Sequence, residues 1–232
     1  MRNFACLALA AALATGASAQ QWSDNFDSYA NGQQLHGMNG WKGWDNSAAA
    51  GALVSNAQSA SAPNSVNING GSDLVHQYAG NNSGQWVFSG DLYVPGNFTG
   101  QSYFILLNTY NDSGPYNWST QVVFDGPLNQ VVNTGVSGGT LPLIRDQWVP
   151  FRVDIDLGGN TQAFFYNNTQ LYAGAWLGEV SSTGGVLNVG AVDLFANGAS
   201  AVYYDNLALV PEPMTLAVLG LGALGVLRRR RK

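Results

Sequence analysis

From Trp148 to Leu157 the chain reads WVPFRVDIDL, and its apolar and polar positions alternate with a period of two. Val149, Phe151, Val153, Ile155 and Leu157 fall on one side, and Pro150, Arg152, Asp154 and Asp156 on the other. Successive strand side chains point to opposite faces, so the pattern predicts a half-buried β-strand. Pro150 has no N–H for a ladder, which places it at an edge or a strand start. The stretch Gln85 to Pro95 shows the same alternation, with Trp86, Phe88, Leu92 and Val94 on one side. Further strands are expected at 22–27, 52–55, 64–68, 73–78, 101–109, 118–125, 128–133, 161–166, 186–195 and 201–209, parted by clusters of Gly, Asn, Ser and Pro. No helical period appears between 20 and 210. Many short strands at this spacing predict an all-β fold, an antiparallel β-sandwich of jelly-roll type.

The two ends follow a different pattern. Arg2, the apolar stretch Phe4 to Leu13 and the small residues Ala17-Ser18-Ala19 have the layout of a signal peptide over 1–19. The other end runs Pro211-Glu212-Pro213, an apolar segment over 214–227, then Arg228, Arg229, Arg230, Arg231 and Lys232. At ~1.5 Å per residue that segment spans roughly 21 Å as a helix, short of a ~30 Å hydrocarbon core. Gly220, Gly222 and Gly225 weaken it further, so it suits a transient anchor, with the basic end held on the cytoplasmic side. Gly220 to Gly225 also matches G-x-G-x-x-G, but the chain ends too soon afterwards for a dinucleotide fold.

Pro-Glu-Pro, a short apolar run and an arginine-rich end, together with a signal peptide, resemble the PEP-CTERM sorting signal of Gram-negative bacteria. The resemblance implies export, with signal peptidase and an exosortase as processing partners and Pro211, Glu212, Pro213 and Arg228 to Arg231 as the recognised residues. It implies residence at the cell envelope, cell surface or extracellular matrix after transient inner-membrane attachment. The expected organisation is a signal helix over 1–19, a β-sandwich over 20–210 and a sorting tail over 211–232 with a hydrophobic helix.

Setting both ends aside changes the charge picture. The whole chain carries a net charge of −5, but residues 20–210 hold 13 acidic residues against three basic ones, Lys42, Arg145 and Arg152. Such a surface repels phosphate backbones, which argues against nucleic acid as a partner. The lone cysteine, Cys6, lies in the signal peptide, so the domain has no disulfide, thiolate metal site or cysteine nucleophile. All seven tryptophans lie within it.

The layout of DNFDSYANGQQLHGMNGWKGW (Asp24 to Trp44), WVPFRVDIDL, FFYNN (Phe164 to Asn168) and the closing YYDNLAL also resembles the concanavalin A-like lectin/glucanase jelly rolls. That resemblance implies paired first and last strands, bringing Phe26-Asp27 towards Tyr204-Asp205. Catalytic members carry Glu-x-Asp-x-x-Glu on one strand; here Glu179 is the single glutamate of residues 20–210, so the expectation is a protein that is not an enzyme. Asp154 and Asp156 share a strand face, with Arg152 as a simple charge partner. His36 and His76 lack zinc-ligand spacing. No cofactor is required by the sequence. The one candidate is a structural calcium, with Asp27 and Asp205 as ligands clamping the two chain ends; the bland alternative is that Asp and Asn are ordinary turn residues here and that Asp205 merely accepts backbone hydrogen bonds.

For carbohydrate, Trp41 and Trp44 in NGWKGWDN and Tyr116 and Trp118 in NDSGPYNWS are the candidate stacking residues, because an exposed aromatic face fits the apolar face of a pyranose. Tryptophans more often seal cores. The leading reading is an exported non-catalytic module associating with exopolysaccharide. Its rivals are a purely structural matrix protein without a specific ligand and, less favoured, a polysaccharide-active enzyme.

Overall fold

The computed structural model describes residues 22–212; the signal peptide, Pro213, the hydrophobic helix expected at 214–227 and the basic end lie outside the described residues. Strands β1 (Trp22–Asp24), β2 (Trp41–Gly43), β3 (Leu53–Ser55), β4 (Ser65–Ile68) and β5 (Asp73–Gln77) come first. They are followed by β6 (Gln85–Tyr93), β7 (Gln101–Thr109), β8 (Asn117–Asp125), β9 (Gln130–Asn133) and β10 (Thr140–Pro142). The last five are β11 (Trp148–Asp156), β12 (Thr161–Tyr166), β13 (Thr169–Ala175), β14 (Ala191–Asn197) and β15 (Val202–Pro211).

The strands form two antiparallel sheets packed as a sandwich. The first runs β13-β12-β11-β6-β15-β4-β3, with β1 also paired to β15; the second runs β10-β9-β8-β7-β14-β5-β2. Register explains how alternation becomes core. Ile155 lies opposite Trp86, Val153 opposite Phe88 and Val149 opposite Leu92, and all six side chains are buried between the sheets. Pro150 fits because its partner β12 begins pairing one residue later, at Phe151.

The centre of the sandwich is aromatic. Phe104 of β7 meets Phe151 edge-on at 4.8 Å and Phe88 at 5.2 Å, joining the two sheets. Phe164 continues the stack to Phe151 and Tyr172. Full burial of each such side chain contributes about 1.5–3 kcal/mol, which suits a domain without disulfides. Gly90 is required here: a Cβ on it would lie 2.4 Å from Leu207 Cδ2 and 2.9 Å from Phe151 Cζ.

First and last strands pair, Trp22 opposite Leu209 and Asp24 opposite Leu207. Upstream, Val202 to Tyr204 of β15 pair with β4 instead. The change of neighbour falls at an irregularity between Asp205 and Ala208, where Asn206 adopts φ +51°. On its other side β15 follows β6 as far as Pro211 opposite Trp86, and Glu212 N–H donates to Gln85 O at 2.9 Å. The sheet therefore reaches two residues past the boundary expected at 210. Three short or edge strands, β2, β10 and β13, are additional to those expected from alternation, and β14 starts at Ala191 rather than 186.

Candidate functional site

The outer face of the second sheet is the part of the molecule with the chemistry of a ligand site. Across it, Lys42, Val75, Asp193, Ile105 and Gln121 stand in one cross-strand row. A parallel row runs Asp73, Phe195, Tyr103 and Val123. Val75, Ile105, Leu107, Tyr110 and Ala191 form a second apolar cluster there, distinct from the core between the sheets, with Trp44, Tyr116 and Trp118 packed on it.

Trp44 reaches this face because β2 is only three residues long and runs into a 3-10 turn over Trp44–Asn46. Its ring lies parallel to that of Trp118, at 11° and 6.2 Å between centroids. Tyr116 lies 4.7 Å away and Tyr110 meets it edge-on at 4.9 Å. Asp45, with φ +52°, ties the turn to the facing loop. It accepts hydrogen bonds from Ser113 N–H at 2.8 Å and from the Tyr116 hydroxyl, and its own N–H donates to Tyr110 Oη at 2.9 Å. The Tyr116 hydroxyl holds the Asp45 carboxyl below its usual range. Lys42 closes the end of the face, 2.6 Å from both Asp112 and Gln77 Oε1.

Beside the stacked rings lies an open groove of about 300 Å³, with Trp44, Trp118, Tyr103 and Phe195 as walls and Asp73, Asp193 and Gln121 as polar lining. Asp193 is 2% exposed, and the two carboxyls lie within hydrogen-bonding reach of each other. Among the described residues no N–H or O–H reaches the buried Oδ1 of either. Desolvation raises both pKa values, that of Asp193 well above the carboxylate range, and the neighbouring charge of Asp73 adds to it. Two carboxylates so close cannot both ionise freely, so the pair holds a proton to higher pH than a free carboxyl does. Sequence reading missed this pair, which lies 120 positions apart. The one local signal was an acid inside the apolar run AVDLF.

The expected stacking residues divide. Trp44, Tyr116 and Trp118 come together, each half-buried with part of its surface exposed. Trp41 does not join them, which corrects its assignment as a sugar-stacking residue. It is 1% exposed in the core, and its Nε1–H donates to Asp24 Oδ2 at 2.9 Å. Alternation along β2 turns Trp41 inward and Lys42 outward, and Trp44 lies beyond the strand.

Asp27 and Asp205 both hold the segment leading into β4. Asp205 accepts Ala60 N–H at 2.7 Å, Ser61 N–H at 2.9 Å and Asn206 N–H at 2.7 Å. Asp27 accepts Asn64 N–H at 3.1 Å and Asn25 Nδ2–H at 2.7 Å. Among the described residues no three His, Cys, Asp or Glu side chains converge as a metal-ion cluster. Of the other acids, Asp154 pairs with Arg152 at 2.9 Å, while Asp156 accepts Gly159 N–H and Gln85 Nε2–H. Glu179 is buried and accepts from Asn133 Nδ2, Ser137 N–H and Ser137 Oγ. His76 packs 4.5 Å from Trp22 and 5.2 Å from Trp41, with Nε2 at 3.2 Å from Asn39 O.

Residues 209–232 match the PEP-CTERM protein-sorting motif. The chain carries this sorting signal. The motif implies an exported, surface-sorted protein processed by an exosortase. Of its residues Pro211 and Glu212 are described and finish the last strand, β15, against β6, whereas Pro213 and Arg228 to Arg231 lie outside the described residues. No described helix is long and apolar enough to cross a membrane.

The sandwich has neighbours of jelly-roll lectin/glucanase type among solved structures. An endo-β-1,4-glucuronan lyase from the fungus Trichoderma reesei superposes with a TM-score of 0.52 at 9% identity, over 82% of this chain and 94% of that one. The globular domain of T. cruzi calreticulin gives 0.54 at 12% identity, over 90% of this chain and 94% of that one. A sialidase gives 0.56 at 7% identity, over 84% of this chain but 19% of its own. At such identities the likeness is one of fold. No curated protein matches the chain in sequence.

Proposed function

We propose that the exported sandwich is a non-catalytic module that associates with exopolysaccharide at the cell surface or in the extracellular matrix. In this reading the polymer lies on the outer face of the second sheet, against Trp44, Tyr116 and Trp118. The observation that carries it is the parallel Trp44–Trp118 pair beside an open groove. Aromatic rings with one apolar face free and polar groups close by suit the alternating apolar and hydroxylated surfaces of a sugar ring. Other depressions are larger, such as one of about 710 Å³ lined by Trp22, Ser23, Asp24, Asn25 and Asn206, but they lack a pair of parallel rings.

The carboxyl geometry supports a binding rather than a cleaving role. Glycoside hydrolases hold two carboxyl groups ~5–5.5 Å or ~6.5–9.5 Å apart around the bond they break. Here Asp73 and Asp193 are close enough to share a proton, and Asp154 and Asp156 are engaged by their own neighbours. Affinity electrophoresis of the protein through gels containing the producing organism's exopolysaccharide tests the proposal. Retardation without release of reducing sugar is expected. Unretarded migration supports the structural-matrix alternative, and release of reducing ends supports an enzyme.

A further inference from the structure

We infer that the Asp73–Asp193 pair is the specificity element of the groove, accepting hydroxyl groups from a polysaccharide that carries no acidic substituents and turning acidic polymers away. The inference rests on the carbohydrate reading above and names the ligand class for that same face.

Three observations lead to it. First, the polar lining of the groove is acidic at its deepest point: Asp193 is 2% exposed and lines the cavity together with Asp73 and Gln121. Asp193 stands between Val75 and Ile105 in its cross-strand row, and Asp73 ends the neighbouring row beside Phe195, so both acids lie among apolar neighbours. Second, among the described residues neither buried Oδ1 has a donor from the protein. A proton held between the two carboxyls still leaves the pair one negative charge, which in the open groove is offered to O–H or N–H groups of a ligand.

Third, among the described residues no cation stands ready to receive an acidic sugar. Lys42 is held by Asp112 and Gln77. Arg145 donates to the carbonyls of Pro95, Gly96, Phe98 and Gly126. Arg152 belongs to the first sheet, bonded to Asp154 and lying over Phe165. Those three are the only basic residues between 20 and 210. A ligand carboxylate or sulfate placed over the pair would meet like charge in a poorly hydrated site, where repulsion is strong.

The test is a binding panel with the full chain, using neutral glucans, mannans and galactans beside polyuronates of similar length. Wild type is expected to bind at least one neutral polymer about tenfold or more tightly than any polyuronate. The Asp73→Asn/Asp193→Asn double variant replaces the charge with neutral groups of the same shape. It is expected to narrow that ratio at least fivefold, chiefly by gaining affinity for the polyuronate. Equal or tighter wild-type binding of a polyuronate overturns the inference without recourse to any variant, and so does an unchanged ratio in a folded double variant. Binding without discrimination leaves the carbohydrate reading standing and removes only this inference. Absence of binding to every polymer removes both.

Discussion

Asp45 and Tyr116 are joined by a hydrogen bond across the outer face of the second sheet, between the 3-10 turn that carries Trp44 and the loop that leads into β8, the strand of Trp118. The contact fixes the relative placement of two rings that share no strand. Asp45 is exposed, so its role is to orient the turn rather than to stabilise the fold. Asp45→Ala is expected to leave the melting temperature within about 2 °C of wild type, as surface changes usually do, while weakening polysaccharide binding about three- to tenfold. Thermal melts and binding isotherms on one preparation separate the two effects.

The Asp73–Asp193 pair makes stability depend on pH. Both folded-state pKa values lie above those of the unfolded chain, with desolvation the main cause. The folded state therefore holds a proton that the unfolded state releases, and stability falls as pH rises from about 4 through the raised folded value. The limiting slope is about 1.4 kcal/mol per pH unit for one proton. Asp193→Asn removes the titrating group. Denaturant titrations at a series of pH values should show the variant gaining on wild type as pH rises from 4 to 7; a parallel pH profile would count against the shared proton.

His76 acts in the opposite direction. Burial against Trp22, Trp41 and Tyr78 lowers its pKa from the usual 6.5 to about 4. The folded state resists protonation that the unfolded state accepts. Its contribution is present above pH 6.5 and is lost as pH falls through the interval down to about 4. His76→Gln is expected to flatten that loss, exposing in the variant the contrary slope of the aspartate pair. The check is the difference between wild-type and variant unfolding free energies at pH 4.5 and 7.

Asp27 and Asp205 reach the segment 60–64 from opposite ends of the chain. Asp205 is buried beneath three backbone N–H donors, so Asp205→Ala leaves those donors unpaired. It should destabilise the domain by about 3 kcal/mol. Asp27 is less buried, and Asp27→Ala should cost about 1 kcal/mol. Because the carboxylates serve backbone donors, both losses are expected to be the same with excess calcium or with chelator. A calcium-dependent melting temperature that disappears in Asp205→Ala would instead establish the ion site.

Much of the sandwich was legible because burial on one face forces alternation. β6 and β11 announce themselves through Trp86, Phe88, Phe151 and Val153, and their register follows from matching those faces. The apolar pair Val186 and Leu187 misled in the opposite sense. They are exposed, held in a loop after Gly184 and Gly185, both at positive φ, while Val186 N–H donates to Asn108 Oδ1. Hydrophobicity alone could not report that the ladder starts five residues later, at Ala191. Trp41 and Trp44 are equivalent by composition, and only the end point of a three-residue strand sends one inward and the other onto the surface. The Asp73–Asp193 pair required the β5–β14 register, which no local motif encodes. The sorting motif was readable because a membrane enzyme must recognise it as linear sequence.

The account depends most directly on the face bearing Trp44 and Trp118. Its decisive measurement is the dissociation constant for the native exopolysaccharide in wild type, in Trp44→Ala/Trp118→Ala, and in Tyr93→Ala on the opposite sheet as a control. Loss of binding by at least tenfold in the tryptophan variant, with near wild-type affinity in the control and cooperative unfolding in both, is the expected result. Undiminished binding by the folded tryptophan variant would contradict the account.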